Sequence, residues 1–261
     1  MSNSEIQVRL SPAQKLLSSL GDESAQVVFA DPPYGIAYHS NHYKDKNPHS
    51  PIASDWNFQI DAFLRQVGQV LRDGGALYLC TRWDVYPIWA PLVISPLKLS
   101  NAIIWKKDNW SAGDLEGNFG NQYEILMFIT KGRHRRRGHR WPNVWEFPRV
   151  PAKSLRMPAE KPVGLVQRAI EASSDPGDLV VDPFSGSGTT GEASVGRRCL
   201  LGDLDPRMIR ITCGRLGIPI PDEIGAEEAP SLPPCPVFGV EPPSPGLWGL
   251  HPEDLAYALG K

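Results

Sequence analysis

Residues 179–191 read Leu179-Val180-Val181-Asp182-Pro183-Phe184-Ser185-Gly186-Ser187-Gly188-Thr189-Thr190-Gly191. Three apolar residues form a short buried strand, a glycine-rich turn interrupts it, and Thr189 to Val195 suits a short helix. Gly186, Gly188 and Gly191 satisfy the spacing G-x-G-x-x-G. The next apolar run, Cys199-Leu200-Leu201, ends two residues before Asp203, which lies 17 residues after Gly186. A strand, a glycine turn, a helix and an acid at the end of the following strand form a fingerprint for an adenosine-type cofactor, with the acid on a ribose hydroxyl. No Gly-Lys-Ser/Thr follows, so this is not a phosphate-binding P-loop. An acid at the head of the loop, Asp182, suits the cationic amino group of an amino-acid cofactor better than a pyrophosphate. The plainer alternative is a glycine turn that only lets helix and strand pack closely.

Working outward, the chain alternates strands and helices. Gln26 to Ala30, Ala76 to Cys80, Ala102 to Trp105 and Glu124 to Thr130 are short apolar runs that read as strands. Phe58 to Leu71 has helical spacing and stops before Asp73-Gly74-Gly75, read as a helix end and a turn. Val163 to Glu171 and Pro206 to Leu216 also read as helices. Strands separated by helices imply a mostly parallel sheet, with ligands at the carboxyl ends of its strands.

The first of those strands ends in Asp31-Pro32-Pro33-Tyr34. Two prolines give a stiff turn, which alone marks only a rigid strand exit. A fixed turn beside a carboxylate and an aromatic can do more. The Asp31 carboxylate and the Pro32 carbonyl could each accept a hydrogen from an exocyclic amino group while Tyr34 stacks on its ring. Two acceptors aimed at those hydrogens localise the nitrogen lone pair, stabilising charge that develops only in the transition state.

Asp31-Pro32-Pro33-Tyr34 is similar to the catalytic motif of the amino-methylating DNA methyltransferases, and Asp182 to Gly191 resembles their S-adenosylmethionine (AdoMet) loop. The order, catalytic motif first and cofactor loop last, is that of their β group, and the resemblance spans about residues 25–215. It implies a Rossmann-like α/β methyltransferase fold, with Asp31, Pro32, Pro33 and Tyr34 as the catalytic motif. It implies AdoMet held by Asp182, Phe184, Ser185, Gly186, Ser187, Gly188, Thr189 and Thr190, with Asp203 on the ribose. Met157-Pro158-Ala159-Glu160-Lys161-Pro162 resembles the helix start before that loop, which would face Lys161 to the cofactor carboxylate. Met157 stands where much of the family has histidine. The aspartate form looks like the adenine-N6 branch. Cytosine-N4 methylation, a catalytically silent DNA-binding protein and, more distantly, a nicotinamide dehydrogenase stay open.

Net charge is −2, but Lys131 to Arg156 holds nine bases and one acid, leaving −10 elsewhere. Within it, Arg133, Arg135, Arg136, Arg137 and Arg140 suit DNA contacts. The segment 131–156 stands where the resemblance puts an inserted target-recognition region. Double-stranded DNA is the implied partner, and the target base must be flipped from its stack. A homodimer and a cognate restriction endonuclease are compatible with the family. Residues 39–44 read as a mobile lid. The spacing of His39, His42 and His49 fits no standard metal site, and direct methyl transfer needs no metal, so none is expected.

The apolar fraction of 41% excludes wholesale disorder, and no run reaches the roughly 18–20 apolar residues of a membrane helix. No basic, apolar signal segment opens the chain. Four cysteines without a C-x-x-C pair argue against a zinc or disulfide scaffold and for a cytoplasmic, reducing setting. Residues 1–215 are expected to form the catalytic domain. Residues 216–261, with ten prolines and six glycines, are expected to form a disordered acidic tail.

Overall fold

The computed structural model describes residues 6–34, 58–110 and 116–224. The expected lid at 39–44, the three histidines His39, His42 and His49, and the tail beyond 224 lie outside the described residues. Among the described residues eight strands form one sheet: β1 (Ile6–Leu10), β2 (Ala25–Ala30), β3 (Leu71–Thr81), β4 (Leu97–Lys106), β5 (Tyr123–Lys131), β6 (Val144–Glu146), β7 (Leu179–Asp182) and β8 (Arg198–Asp203). Their order is β1-β8-β7-β2-β3-β5-β4-β6. Every neighbouring pair is parallel except those made by β5, which runs against both β3 and β4.

Among the described residues six α-helices cover the two faces: α1 (Ala13–Ser18), α2 (Ile60–Val70), α3 (Tyr86–Trp89), α4 (Val163–Ser173), α5 (Thr189–Ala193) and α6 (Pro206–Leu216). The period-2 alternation of the central strand β2 feeds both layers. Val27 and Phe29 join Leu165, Ile170 and Ile209 of α4 and α6 on one face. Val28 and Ala30 join Leu17, Phe63 and Val67 of α1 and α2 on the other. This three-layer arrangement is the expected Rossmann-like α/β fold. Among the described residues no helix is long and apolar enough to cross a membrane.

Two sequence expectations change. Asp73-Gly74-Gly75 is no turn between helix and strand, because β3 begins at Leu71, directly after α2. Leu71 pairs with Ala25 and Ala76 with Val27, so β3 spends five residues against two of β2. Gly74, at φ +75, lets this bulge bend inside the strand. The inserted segment 131–156 also contributes a strand the sequence did not show, since Val144 to Glu146 adds β6 to the sheet edge beside β4. At the other end of the described chain, Ile218 and Ile224 pack on the core, and Arg210 donates to the Ile224 carbonyl at 2.9 Å.

Candidate active site

β2 and β7 are parallel neighbours, with Val27 opposite Val180 and Val28 opposite Val181. The two unusual strand ends therefore leave the sheet side by side, where chain order reverses across the sheet, the place at which open α/β sheets bind ligands. β8, carrying Asp203, is next to β7. Thr81 at the end of β3 and Glu124 at the start of the reversed strand β5 reach the same edge.

Around Asp31 the charges alternate. Tyr34 donates its hydroxyl to Asp31 Oδ1 at 2.9 Å. Lys161, only 6% exposed, donates Nζ to Asp31 Oδ2 at 2.5 Å and lies 3.3 Å from Glu124 Oε2. Lys107 closes the row, donating Nζ to Glu124 Oε1 at 2.6 Å. Burial alone would discharge Lys161, but the carboxylates of Asp31 and Glu124 outweigh it and hold the ammonium pKa well above the ordinary value. Glu124 also suffers burial, yet Lys161 and Lys107 lower its pKa. Burial, reinforced by the Asp31 carboxylate, pushes the Tyr34 phenol up, so it stays a donor. The Tyr34 ring meets Trp89 at 6.1 Å between centroids.

The glycine loop forms the second half. Gly186 and Gly188 hold φ of +50° and +81°, a region side chains resist. A Cβ on Gly186 would also stand 2.5 Å from the Met157 sulfur. Asp203 Oδ2 accepts from the Gly186 N–H at 2.9 Å, and its Oδ1 from the Asp205 N–H at 2.9 Å. Asp203 thus clamps the loop to β8. Asp182 accepts from the Phe184 N–H at 2.9 Å and from the Thr190 hydroxyl. Phe184 packs edge-on against Phe58 at 5.5 Å. Ser187 and Thr189 are fastened by Arg215, whose Nη1 reaches Ser187 Oγ at 3.1 Å and Thr189 Oγ1 at 2.9 Å. Ser185 Oγ is buried with no hydrogen-bond partner among the described residues, a polar atom available to a ligand in this loop.

Burial raises the Asp182 pKa to about 7. A ligand ammonium would need the ionised form. Affinity for such a ligand is therefore expected to be full above pH 7 and to weaken by up to about tenfold per unit as pH falls below it. Asp182→Asn should flatten this profile and weaken binding. Because a carboxylate with a raised folded pKa opposes folding above the unfolded value, the same variant should melt higher at pH 8, not lower. Calorimetric titration across pH 5.5–8.5 and a thermal melt check both.

Lys161, Asp203 and the loop residues named by the sequence thus meet the Asp31 motif on one edge. The nearest partners of Lys161 are Asp31, Glu124 and the Ala159 carbonyl. The basic segment does not join them. β5 runs backwards, so Arg133 to Arg137 emerge at the opposite edge. There Arg137 donates its N–H to the Ala172 carbonyl at 2.8 Å and pairs with Asp175 at 3.2 Å. His134 Nδ1 lies 3.0 Å from the Gly74 carbonyl, near the start of β3. Five residue steps of β2 at about 3.3 Å put that edge about 17 Å from Asp31. After Arg140 the chain climbs back, and Trp141 lies over Arg168, halfway along α4. Sequence reasoning missed Glu124, Lys107 and Arg215. Arg215 is one of three arginines in α6 and Lys107 simply follows Lys106, so nothing local singles them or Glu124 out from solvated surface charges.

Comparison with known proteins adds three findings. A family profile described as DNA methylase matches residues 25–212. Among curated proteins, the Escherichia coli K12 protein named DNA adenine methyltransferase YhdJ is 27% identical over 238 residues, covering 77% of this chain and 79% of that one. The Moraxella bovis protein named Type II methyltransferase M2.MboI is 28% identical over 210 residues, covering 69% and 75%. Among solved structures, the complex of M1.HpyAVI with SAM superposes with a TM-score of 0.60 at 18% identity, covering 81% of this chain and all of that one, a likeness of fold.

Proposed function

The chain belongs to the DNA methylase family, and from that premise we propose that it transfers a methyl group from AdoMet to adenine N6 of a flipped base in double-stranded DNA. The observation that carries this reading is the adjacency of Asp31-Pro32-Pro33-Tyr34 and the glycine loop on neighbouring parallel strands. The naming of YhdJ as an adenine methyltransferase supports the choice of base.

AdoMet supplies a methyl carbon made electrophilic by its sulfonium. The buried Asp182 and Ser185, the positive-φ glycines and Asp203 fit its cationic, polar and ribose portions. The chain's own contribution is on the amino group. Asp31 is pinned through Tyr34 and Lys161 and keeps lone pairs for an N6 hydrogen, and the Pro32 carbonyl takes the second. Both acceptors are fixed before the base arrives, so little reorganisation is spent as the nitrogen becomes tetrahedral. The extra N6 proton leaves to water once the nitrogen–carbon bond has formed.

The DNA would lie across the edge that holds Asp31. Residues 147–162 cross that edge between β6 and α4, and they include exposed Arg149 and Lys153. The Arg149 N–H is tied to Asp108 at 2.9 Å, beside the end of β4. Replacing Arg149 and Lys153 by glutamine is expected to reduce the slope of log affinity against log salt by about 2, at roughly 0.9 per lost phosphate contact. The triple change Arg133→Gln, Arg135→Gln and Arg136→Gln should alter it by less than about 1 if the remote edge stays off the duplex. The reverse result would restore the arginine run as the DNA contact.

Sequencing the modified bases of DNA from cells expressing the chain tests the whole reading. N6-methyladenine at a defined site is expected. N4-methylcytosine would overturn the choice of base, and unmodified DNA would favour a silent DNA-binding protein.

A further inference from the structure

The row Lys107, Glu124, Lys161, Asp31 holds two charges more than a simple ion pair to the catalytic carboxylate requires. Lys161 and Asp31 alone would form a closed, nearly dry pair, in which the ammonium draws electron density from the carboxylate that must accept the N6 hydrogen. Glu124 changes that balance. Its Oε2 lies 3.3 Å from the Lys161 nitrogen and makes no hydrogen bond among the described residues, so its hold on the ammonium is purely electrostatic. Its Oε1 is anchored from outside by Lys107 at 2.6 Å. In a site with few competing waters such a charge acts strongly.

We propose that Glu124 is a positioning residue: by sharing the Lys161 ammonium with Asp31, and being held in turn by Lys107, it keeps the Asp31 carboxylate aimed and electron-rich enough to accept the amino hydrogen of the target base. This rests on the methyltransferase reading but assigns residues that the two motifs do not contain. Loss of the Glu124 charge leaves the Lys161 ammonium, already 2.5 Å from Asp31, to that carboxylate alone, which affects the chemical step more than ligand binding.

The test is Glu124→Gln against wild type, with Glu124→Asp as the conservative variant. The single-turnover methylation rate of Glu124→Gln is expected to fall by about 10- to 100-fold, the scale of a misplaced reacting group. AdoMet affinity should stay near wild type, melting temperature should fall by a few degrees as the pairs with Lys107 and Lys161 are lost, and Glu124→Asp should recover most of the rate. Adding Lys107→Gln to Glu124→Gln should cost little more, because both act through the same ammonium. A Glu124→Gln rate within twofold of wild type overturns the proposal, as does a parallel loss of AdoMet affinity. A readout without turnover separates this from failure of the functional reading: the carbon-13 carboxyl resonance of Asp31, assigned with Asp31→Asn, should move in Glu124→Gln. If it stays in place the proposal fails, whereas a resonance that moves in Glu124→Gln while the wild-type protein methylates no DNA sinks only the methyltransferase reading.

Discussion

Asp31→Ala is expected to abolish methylation, lowering the single-turnover rate by about a thousandfold or more, while AdoMet and DNA still bind within a few-fold of wild type. On the proposed reading the carboxylate would touch the reacting nitrogen and neither ligand's main binding surface, so its loss should appear in the chemical step. The variant has a second consequence. It leaves Lys161, buried and charged, with only Glu124 at 3.3 Å, and breaking a buried pair is costly. Some fall in melting temperature is therefore expected for alanine, less for Asp31→Asn, which keeps the shape and one acceptor. If Asp31→Asn retained more than about a tenth of the wild-type rate, the carboxylate would not be the group that localises the nitrogen lone pair. Single-turnover assays run beside calorimetric binding separate the two effects.

Arg215→Met is expected to give the largest loss of stability. Arg215 and Glu160 are 3% and 1% exposed and meet at 2.8 Å. Arg215 also reaches Glu192 at 2.6 Å, and it fastens Ser187 and Thr189 of the glycine loop. Removing the guanidinium leaves the buried Glu160 carboxylate to Arg156 alone, a partly exposed partner at 3.2 Å, and frees three oxygens, at a cost of about 3 kcal/mol. At about 2–4 °C per kcal/mol for a domain of this size, the melting point should drop by roughly 10 °C. The double change Arg215→Met with Glu160→Met should recover much of that loss, since paired removal leaves no uncompensated charge. Cofactor affinity should recover less, because the loop stays unfastened. Melting within about 2 °C of wild type in the single variant would show that the cluster contributes little.

The two strand ends were legible in the sequence because their chemistry is local. Asp31-Pro32-Pro33-Tyr34 and Asp182 to Gly191 each follow a short apolar run, and turn residues, glycine spacing and a flanking acid need no distant partner to be recognised. The helices over 163–171 and 206–216 were likewise visible from periodicity. Local signals failed at Asp73-Gly74-Gly75, where pairing of Leu71 with Ala25 drew the supposed turn into β3. They failed also at β6, whose three residues owe their conformation to the edge of β4.

The arginine run shows how placement, as distinct from charge, escapes local reading. Its charge is plain in the chain, but its position depends on the direction of β5, and strand direction is decided by neighbours that lie far away in sequence.

The chain by itself therefore determined the kind of fold and displayed the acceptor motif and the glycine loop proposed to meet the amino group and the cofactor, since these rest on contacts between residues close in sequence. Tertiary structure alone decided that the two motifs share one edge, that the arginines 133–137 lie at the other, and that Lys161 is divided between Asp31 and Glu124. Those facts come from the packing of strands and from Coulomb forces across 37 and 130 positions of chain, acting over distances that only folding makes short.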